Sequence, residues 1–275
     1  MKMVYMLVVC LFSLNASAAY LKTGLAGVDI SPNPAEDVMV MATSGDVFWA
    51  PSRNVTLIST LTMAIKAQQM IELEVNAKNT ILSAKLSLEK ASPTLIPEFS
   101  KEPDVEDYDP TQFSTMQEIK EAFATMDRGT RSRSQCYNRA YVWGHDLWRD
   151  RGVNSMKIFL FFTTKYIREF RYDWWFHVSP MSYVAEDEYV MDRLFTKTPL
   201  RPQTWTNIFM QNNSVCKSVT NYFDYHKDDP TEYCFLLRST MFYLGPSALK
   251  RRDEGYEKTE YNRATLRAAR QQAFY

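Results

Sequence analysis

The sequence predicts an α+β protein in which a helical segment packs on an antiparallel sheet, preceded by a smaller α+β module. Residues 114–149 place apolar side chains at helical spacing. Three strand-like apolar segments follow them, residues 156–163, 172–184 and 188–195. Helices followed along the chain by strands that join through short turns are typical of the α+β class. Residues 19–90 form the smaller module.

Residues 1–18 have the features of a secretory signal peptide. Lys2 precedes the apolar run 3–14, and residues 16–18 (ASA) provide the small side chains of an A-x-A cleavage site. The run is too short to span a bilayer, and no later stretch approaches the length of a transmembrane helix. We therefore expect an exported protein, periplasmic or secreted, that makes no membrane contact once the signal peptide is removed.

The module at 19–90 is predicted to contain short strands and one helix. Its predicted elements are strands at 38–42, 47–50, 71–75 and 80–88 and a helix over 54–69. The first two strands are joined by a turn at Gly45. Because this module has no cysteine or histidine, we do not expect it to carry out catalysis.

Residues 91–113 differ in composition from the segments on either side. Prolines and acidic side chains are concentrated in this stretch. Such a composition predicts a linker, or an extended arm that follows the surface. It is also a place where a processing protease could cut.

Residues 114–275 form the larger predicted domain. Its first helix is opened by Ser114, with Gln117 completing a capping box, and ends near residue 126. The second helix covers 136–149. Beyond the three strands already named, the predicted elements are a helical or irregular segment from 203, a strand at 235–243 and a helix from about 257.

Composition excludes several classes of function. The 32 basic and 32 acidic residues give a formal net charge of zero, so no global field would draw the protein to nucleic acid or to an anionic membrane. Glycines are few, and neither GxGxxG nor GxxxxGK[ST] occurs. Cysteines and histidines are too sparse for a metal site. We therefore expect no cofactor, no metal and no nucleic-acid partner.

Three cysteines follow the signal peptide, and their positions divide them into two groups. Cys216 and Cys234 flank a polar, turn-rich segment. A disulfide between them would constrain the unfolded chain by roughly 3 kcal/mol. We predict this disulfide, and other pairings remain open at this point.

Cys136 is then the one cysteine without a partner. It lies at the predicted start of a helix, where partial positive charge and free N–H groups favour loss of the thiol proton. Since the thiolate is the nucleophile, Cys136 is a candidate catalytic residue. The alternative is a buried structural cysteine.

Of the three histidines, His177 is the best placed for catalysis. His145 follows Cys136 by about two and a half turns of the same helix and therefore faces the other way. His226 lies in the polar loop between the paired cysteines, where we expect it to be solvated. His177 lies in an apolar strand and needs a polar partner there, unless it is a core histidine bonded to backbone.

Asp192 is the natural partner of His177. It also has apolar neighbours, in the strand predicted to pair with the histidine's. If the turn between the strands centres near Val184-Ala185, the two residues lie directly opposite each other; a later turn makes them diagonal neighbours. The sequence thus predicts a Cys-His-Asp constellation.

Three segments that carry these residues resemble the protein-glutaminase (protein-glutamine deamidase) family. They are 134–140 (SQCYNRA), 174–180 (WWFHVSP) and 190–193 (VMDR), with Trp205 following. The similarity covers about residues 114–243. It implies a transglutaminase-like or papain-like cysteine-enzyme fold, as in secreted bacterial enzymes of this family.

The resemblance also implies a role for each residue. Cys136 would be the nucleophile, His177 the general base and acid, and Asp192 the carboxylate that orients the histidine. The substrates would be proteins or peptides bearing glutamine, deamidated to glutamate with release of ammonia through a thioester. Family members are made with a pro-region that occupies the active site, and residues 19–111 are placed to inhibit in that way.

Two alternatives remain open from the sequence. The same triad could serve a transglutaminase or a thiol peptidase. A non-catalytic exported binding protein could instead use the aromatic strands as a core or as a partner surface.

Overall fold

The computed structural model describes residues 18–90, 108–130, 135–254 and 263–274. The predicted signal peptide, apart from its last residue, and most of the predicted linker lie outside these residues. In the described part of the chain, no helix has both the length and the hydropathy needed to cross a membrane.

The N-terminal part of the protein consists of two small antiparallel sheets and one helix. Its elements are β1 (Ala19–Thr23), β2 (Leu25–Asp29), β3 (Val38–Ala42), β4 (Val47–Ala50), α1 (Val55–Ala67), β5 (Gln69–Val75) and β6 (Ile81–Lys90). One sheet has the order β1-β5-β6 and the other β2-β3-β4. The strands and the helix predicted here are confirmed, whereas β1 and β2 were not predicted.

Helix α1 packs against both sheets. Asn54 begins it, and the side-chain oxygen of Asn54 accepts a hydrogen bond from the N–H of Leu57 at 3.1 Å. The apolar face of α1, including Leu57 and Leu61, is buried together with residues of β3 and β5. The N-terminal part therefore has a hydrophobic core of its own.

The larger part is built on a mixed, six-stranded sheet. Its elements are β7 (Gln112–Phe113), α2 (Met116–Thr125), α3 (Cys136–Arg151), β8 (Met156–Phe162), α4 (Thr164–Phe170), β9 (Phe176–Val184), β10 (Asp187–Val190), α5 (Pro202–Thr206), β11 (Lys217–Val219), a 3₁₀ turn (Tyr222–Asp224), β12 (Cys234–Thr240), α6 (Pro246–Asp253) and α7 (Arg263–Phe274). The strand order is β10-β9-β8-β12-β11, with β7 beside β9.

The continuous apolar run of β8 is explained by its central place in this sheet. It pairs antiparallel with both β9 and β12, and its residues from Lys157 onward are buried. Strand β10 is antiparallel to β9, whereas β7 and β11 each run parallel to their neighbour. Helix α3 packs against β9, and α7 packs along α3. The predicted α+β class is confirmed.

The start of α2 corrects one prediction. The N-cap is Thr115, not Ser114, and its side-chain oxygen accepts from the N–H of Glu118 at 3.3 Å. The Glu118 carboxylate in turn accepts from the N–H of Ser114 at 2.9 Å. Glu118, not Gln117, is therefore the side chain that bonds back to the backbone before the helix. The shift arises because β7 pairs with β9 through Phe113, which keeps the chain extended up to the cap.

Candidate active site

Cys136 lies at the first position of α3 and is a free cysteine with 5% exposure. The other two cysteines of the described chain, Cys216 and Cys234, form a disulfide with an S–S distance of 2.00 Å. The predicted pairing is confirmed, and it leaves Cys136 as a thiol.

The N-terminus of α3 is arranged differently from those of α1, α2 and α4. The side chains of Asn54, Thr115 and Thr163 each accept a backbone N–H at the start of α1, α2 and α4. Gln135, the N-cap of α3, adopts the left-handed conformation (φ 70°, ψ 25°) and makes no such bond. The first-turn N–H groups of α3 are thus not taken by the cap side chain, and they point toward the region of Cys136.

His177 is the second residue of β9 and is 2% exposed. Its Nε2 lies 2.7 Å from Oδ2 of Asp192. The side chain of Cys136 lies close enough to the ring to raise the pKa of His177. Because Nε2 is engaged with the carboxylate, Nδ1 is the nitrogen left to meet the sulfur. The fold therefore brings together the Cys136 sulfur, the His177 imidazole and the Asp192 carboxylate, the three groups predicted from the sequence.

Asp192 reaches this position from a turn, not from a strand. The predicted strand 188–195 is wrong beyond Val190, where β10 ends. The Asp192 carbonyl accepts from the N–H groups of Phe195 and Thr196 at 3.2 and 2.9 Å, which closes a turn immediately after the strand. The β9–β10 register, Asp187 opposite Val184, is the later-turn case of the prediction.

Trp205 shares the carboxylate with the histidine. Its indole Nε1–H donates to Oδ2 of Asp192 at 2.9 Å. The sequence marked Trp205 as part of the resemblance but gave no indication of this contact. With two donors on one oxygen, the 1%-exposed Asp192 carboxylate is held in a single orientation.

Aromatic rings enclose His177. The Trp174 ring is stacked at 5.8 Å between centroids, and the Phe209 ring lies at 4.5 Å. Phe195 and Trp205 complete the enclosure at 5.1 and 5.6 Å. This packing fixes the ring plane and keeps bulk water from the His177–Asp192 bond.

The electrostatics of the site favour a protonated histidine. Burial alone would lower the pKa of His177, but the charge and hydrogen bond of Asp192, followed by those of Cys136, raise it to about 9. A ring that stays protonated at neutral pH is the partner that a thiolate needs.

Arg139 adds a buried positive group that was not predicted from the sequence. It is 1% exposed, and burial lowers the pKa of its guanidinium, while the charges of Cys136 and Asp192 act in the opposite direction. Its position within the 134–140 motif was the only available signal. It contributes positive potential close to the two acidic groups of the site.

The other two histidines have different surroundings, as predicted. Nδ1 of His145 lies 3.5 Å from Asp146, and the His145 ring packs beside Trp148. His226 is exposed. In the described residues, no group of three or more histidine, cysteine or acidic side chains could hold a metal ion.

Comparison with known families assigns the segment that holds this site. A family model described as "Glutaminase" matches residues 113–209, which include Cys136, His177, Asp192 and Trp205. Residues 113–209 are thus similar to this glutaminase family. The family and the enzyme class predicted from the three motifs are thereby confirmed. A comparison with curated proteins gives no match.

Solved structures agree with the glutaminase assignment at the level of the fold. A crystal structure of pro-protein-glutaminase covers 92% of this chain and 92% of its own length, with 15% identity and a TM-score of 0.52. A mutant of pro-protein-glutaminase covers 84% of this chain and 86% of its own length, with 17% identity and a TM-score of 0.52. The fold similarity therefore extends over the N-terminal part as well as over residues 113–209, which are called the glutaminase segment below.

The N-terminal part contacts the glutaminase segment beside His177. At the β3–β4 turn, the Gly45 carbonyl accepts from the N–H of Trp175 at 3.0 Å, and the Val47 N–H donates to the Asp173 carbonyl at 2.7 Å. Gly45 has φ +99°, and a Cβ there would lie 3.1 Å from the Phe176 ring. The turn therefore pairs with the chain that leads into His177.

Side chains of the same turn approach the start of α3. Asp46 is a half-buried carboxyl that accepts from the Ser44 hydroxyl at 2.6 Å. Burial raises its pKa, the Ser44 hydrogen bond opposes that rise, and the Asp173 charge adds to it. Burial is also the main reason that the pKa of Tyr137 is raised to about 12, with smaller contributions from the charges of Cys136 and Asp46.

Ion pairs fasten the N-terminal part to α4. Arg168 pairs with Asp29 and, at 3.3 Å, with Glu36. Arg171 pairs with Asp37 at 2.9 Å and stacks its guanidinium over the Trp49 ring at 3.7 Å. The acidic groups all belong to the N-terminal part and the basic groups to the glutaminase segment, so the contact is electrostatically complementary.

Proposed function

We propose that the protein is an exported protein-glutamine deamidase, which hydrolyses the side-chain amide of protein-bound glutamine to glutamate and releases ammonia. The observation that carries the proposal is the chain of contacts from Cys136 through His177 to Asp192, within a segment that is similar to a glutaminase family. We propose that this arrangement, a nucleophile at a helix N-terminus on a largely antiparallel sheet, is of the transglutaminase-like or papain-like type.

The first half of the reaction forms a thioester. The Cys136 thiolate attacks the carboxamide carbon of a substrate glutamine, and the charge that develops on oxygen is stabilised by the Cys136 backbone N–H at the start of α3. The protonated Nδ1 of His177 gives its proton to the departing nitrogen, so that ammonia leaves. Asp192 holds Nε2 throughout and stabilises the positive ring.

The second half hydrolyses the thioester. His177, now neutral, takes a proton from a water molecule as that water attacks the thioester carbon. Collapse of the tetrahedral intermediate breaks the C–S bond, releases glutamate and restores the Cys136 thiolate beside a protonated His177. If a lysine amine replaced the water, the product would be a cross-link, as in a transglutaminase.

We further propose that residues 19–111 inhibit the enzyme from within the same chain. The β3–β4 turn pairs with residues 173–175, immediately before His177, and Met41 and Val47 belong to the same buried cluster as Cys136. A substrate chain approaching the sulfur would meet this turn. Cleavage in the 91–107 region, followed by release of the N-terminal part, would open the site.

Export is supported by the apolar start of the sequence and by the Cys216–Cys234 disulfide, which suits an oxidising compartment. The protein would act in the periplasm or outside the cell.

The test compares three proteins on a glutamine-rich, casein-like substrate: the chain 19–275, the fragment 108–275 and the fragment carrying Cys136→Ala. The fragment begins at Tyr108 because its ring packs on Phe242 at 5.0 Å. We expect ammonia release by the fragment, less by the longer chain and none by the variant. Backbone cleavage would indicate a peptidase, cross-linked products a transglutaminase, and no reaction a binding protein.

A further inference from the structure

The C-terminal helix α7 reaches the start of the helix that carries Cys136. Oε1 of Gln272 accepts a hydrogen bond from Nδ2 of Asn138 at 2.8 Å. Arg270 pairs with Asp146 at 2.5 Å and the Phe274 ring packs on the Trp143 ring, so α7 lies along the length of α3. Of these three contacts, the one at Gln272 meets α3 at the residue closest along the chain to Cys136.

Asn138 uses both protons of its side-chain amide in this network. One proton goes to Gln272, and the other goes to Oε1 of Gln135 at 2.6 Å. Asn138 is 2% exposed, so its amide is held by these two acceptors rather than by solvent. Gln272 therefore fixes Asn138 in the orientation that captures the Gln135 oxygen.

The captured oxygen belongs to the N-cap residue of α3. At that position a Ser, Thr, Asp or Asn oxygen often accepts an N–H group of the first turn, as Asn54, Thr115 and Thr163 do at α1, α2 and α4, whereas the N-caps of α5 and α6 make no such bond. In α3 the Gln135 side chain is turned to Asn138 instead and makes no cap bond. The Gln135 side chain therefore does not compete for the N–H groups beside Cys136. These groups can stabilise negative charge at the sulfur or at the substrate oxygen.

We propose that Gln272 is a positioning residue for the nucleophile: through Asn138 it holds the Gln135 side chain away from the first turn of α3. This inference rests on the proposed function for its catalytic consequence. The structural consequence, a start of α3 that the Gln135 side chain does not cap, does not depend on the substrate.

Two replacements at Gln272 separate hydrogen bonding from packing. Gln272→Met keeps the length of the side chain but removes the acceptor, whereas Gln272→Glu keeps an acceptor oxygen. Gln271→Met is the matched control, because Gln271 is the adjacent exposed glutamine of α7. The readouts are the iodoacetamide alkylation rate of Cys136 in the intact chain at neutral pH, and kcat and KM for ammonia release after proteolysis within 91–107.

We expect Gln272→Met to lower the alkylation rate and kcat by about three- to tenfold, with KM unchanged. Gln272→Glu should restore both rates, and Gln271→Met should match the unmodified chain. Unchanged rates in Gln272→Met would overturn the proposal. Equal losses in Gln272→Met and Gln272→Glu would also overturn it, since they would assign Gln272 a packing role. If no variant releases ammonia, the proposed function fails while the alkylation rates still decide the role of Gln272.

Discussion

Trp205 donates its indole N–H to Oδ2 of Asp192, the same oxygen that meets His177. The two distances, 2.9 and 2.7 Å, are those of good hydrogen bonds, and all three side chains are buried. A carboxylate held by two donors cannot rotate away from the imidazole. This relationship places Trp205 among the residues that position the proposed catalytic groups.

Replacement of Trp205 by phenylalanine tests that role. Loss of one donor leaves Asp192 less firmly oriented, and we expect kcat to fall by about tenfold with little change in KM. The control is Trp143→Phe, which removes an indole N–H that donates to the Asp127 carbonyl at 3.0 Å. Equal effects of the two variants on kcat would argue against the positioning role.

The His177 pKa predicts an alkaline limit of activity. Because Asp192 and Cys136 raise that pKa to about 9, the protonated ring persists through neutrality and is lost as the pH passes about 9. We expect kcat/KM to fall above that pH. In Asp192→Asn, burial without the opposing charge lowers the His177 pKa, so the alkaline limb should move to lower pH. If the alkaline limb of Asp192→Asn stays at the same pH, the result contradicts this assignment. Asp146→Asn serves as the control.

The same pKa predicts how stability depends on pH. The folded-state value lies above the ordinary 6.5, so the stabilisation from the His177–Asp192 pair is fully present below about pH 6.5. It is lost as the pH rises through about 9. Thermal unfolding across this interval should show a larger alkaline loss of Tm in the unmodified chain than in Asp192→Asn. Parallel curves would show that the pair does not contribute in this way.

Charge reversal at Arg168 should weaken the hold of the N-terminal part. Arg168→Glu places an acid against Asp29 and Glu36, and we expect several-fold higher ammonia release from the intact chain 19–275. Adding Asp29→Arg should reverse much of the gain. Arg201→Glu, which breaks the Arg201–Asp187 surface pair, is the control. No gain in Arg168→Glu would argue against inhibition by residues 19–111.

Reduction of the Cys216–Cys234 disulfide should destabilise the protein. The bridge spans a sequence separation of 18, and its loss should lower the free energy of unfolding by about 3 kcal/mol. Denaturant unfolding with and without reductant measures this, with Cys216→Ser/Cys234→Ser as the genetic counterpart. Superimposable unfolding curves would contradict the prediction.

Local patterns predicted much of the fold. The hairpin around Gly45, helix α1 and the central strand β8 follow from turn chemistry and periodicity, which act over a few residues. The disulfide followed from its polar loop. The cap of α2 was misplaced by one residue because the pairing of Phe113 with β9 is a tertiary contact.

The residues of the candidate site were predictable from the sequence, but the backbone turn and the hydrogen bonds that position them were not. Cys136, His177 and Asp192 were selected because each is a reactive or polar group in an unusual local setting. The turn that carries Asp192, however, depends on backbone bonds that periodicity does not reveal. The Asn138–Gln272 bond joins residues 134 positions apart, and no local pattern encodes such a contact.

The central claim is that the Cys136 sulfur forms a covalent bond with the substrate. The direct measurement is intact-protein mass spectrometry of the 108–275 fragment, quenched in acid during turnover of a glutamine peptide. We predict a species heavier by the peptide minus ammonia, mapped to Cys136 and absent from Cys136→Ala. Ammonia release by Cys136→Ala at the unmodified rate, with no acylated species in either protein, would contradict the claim.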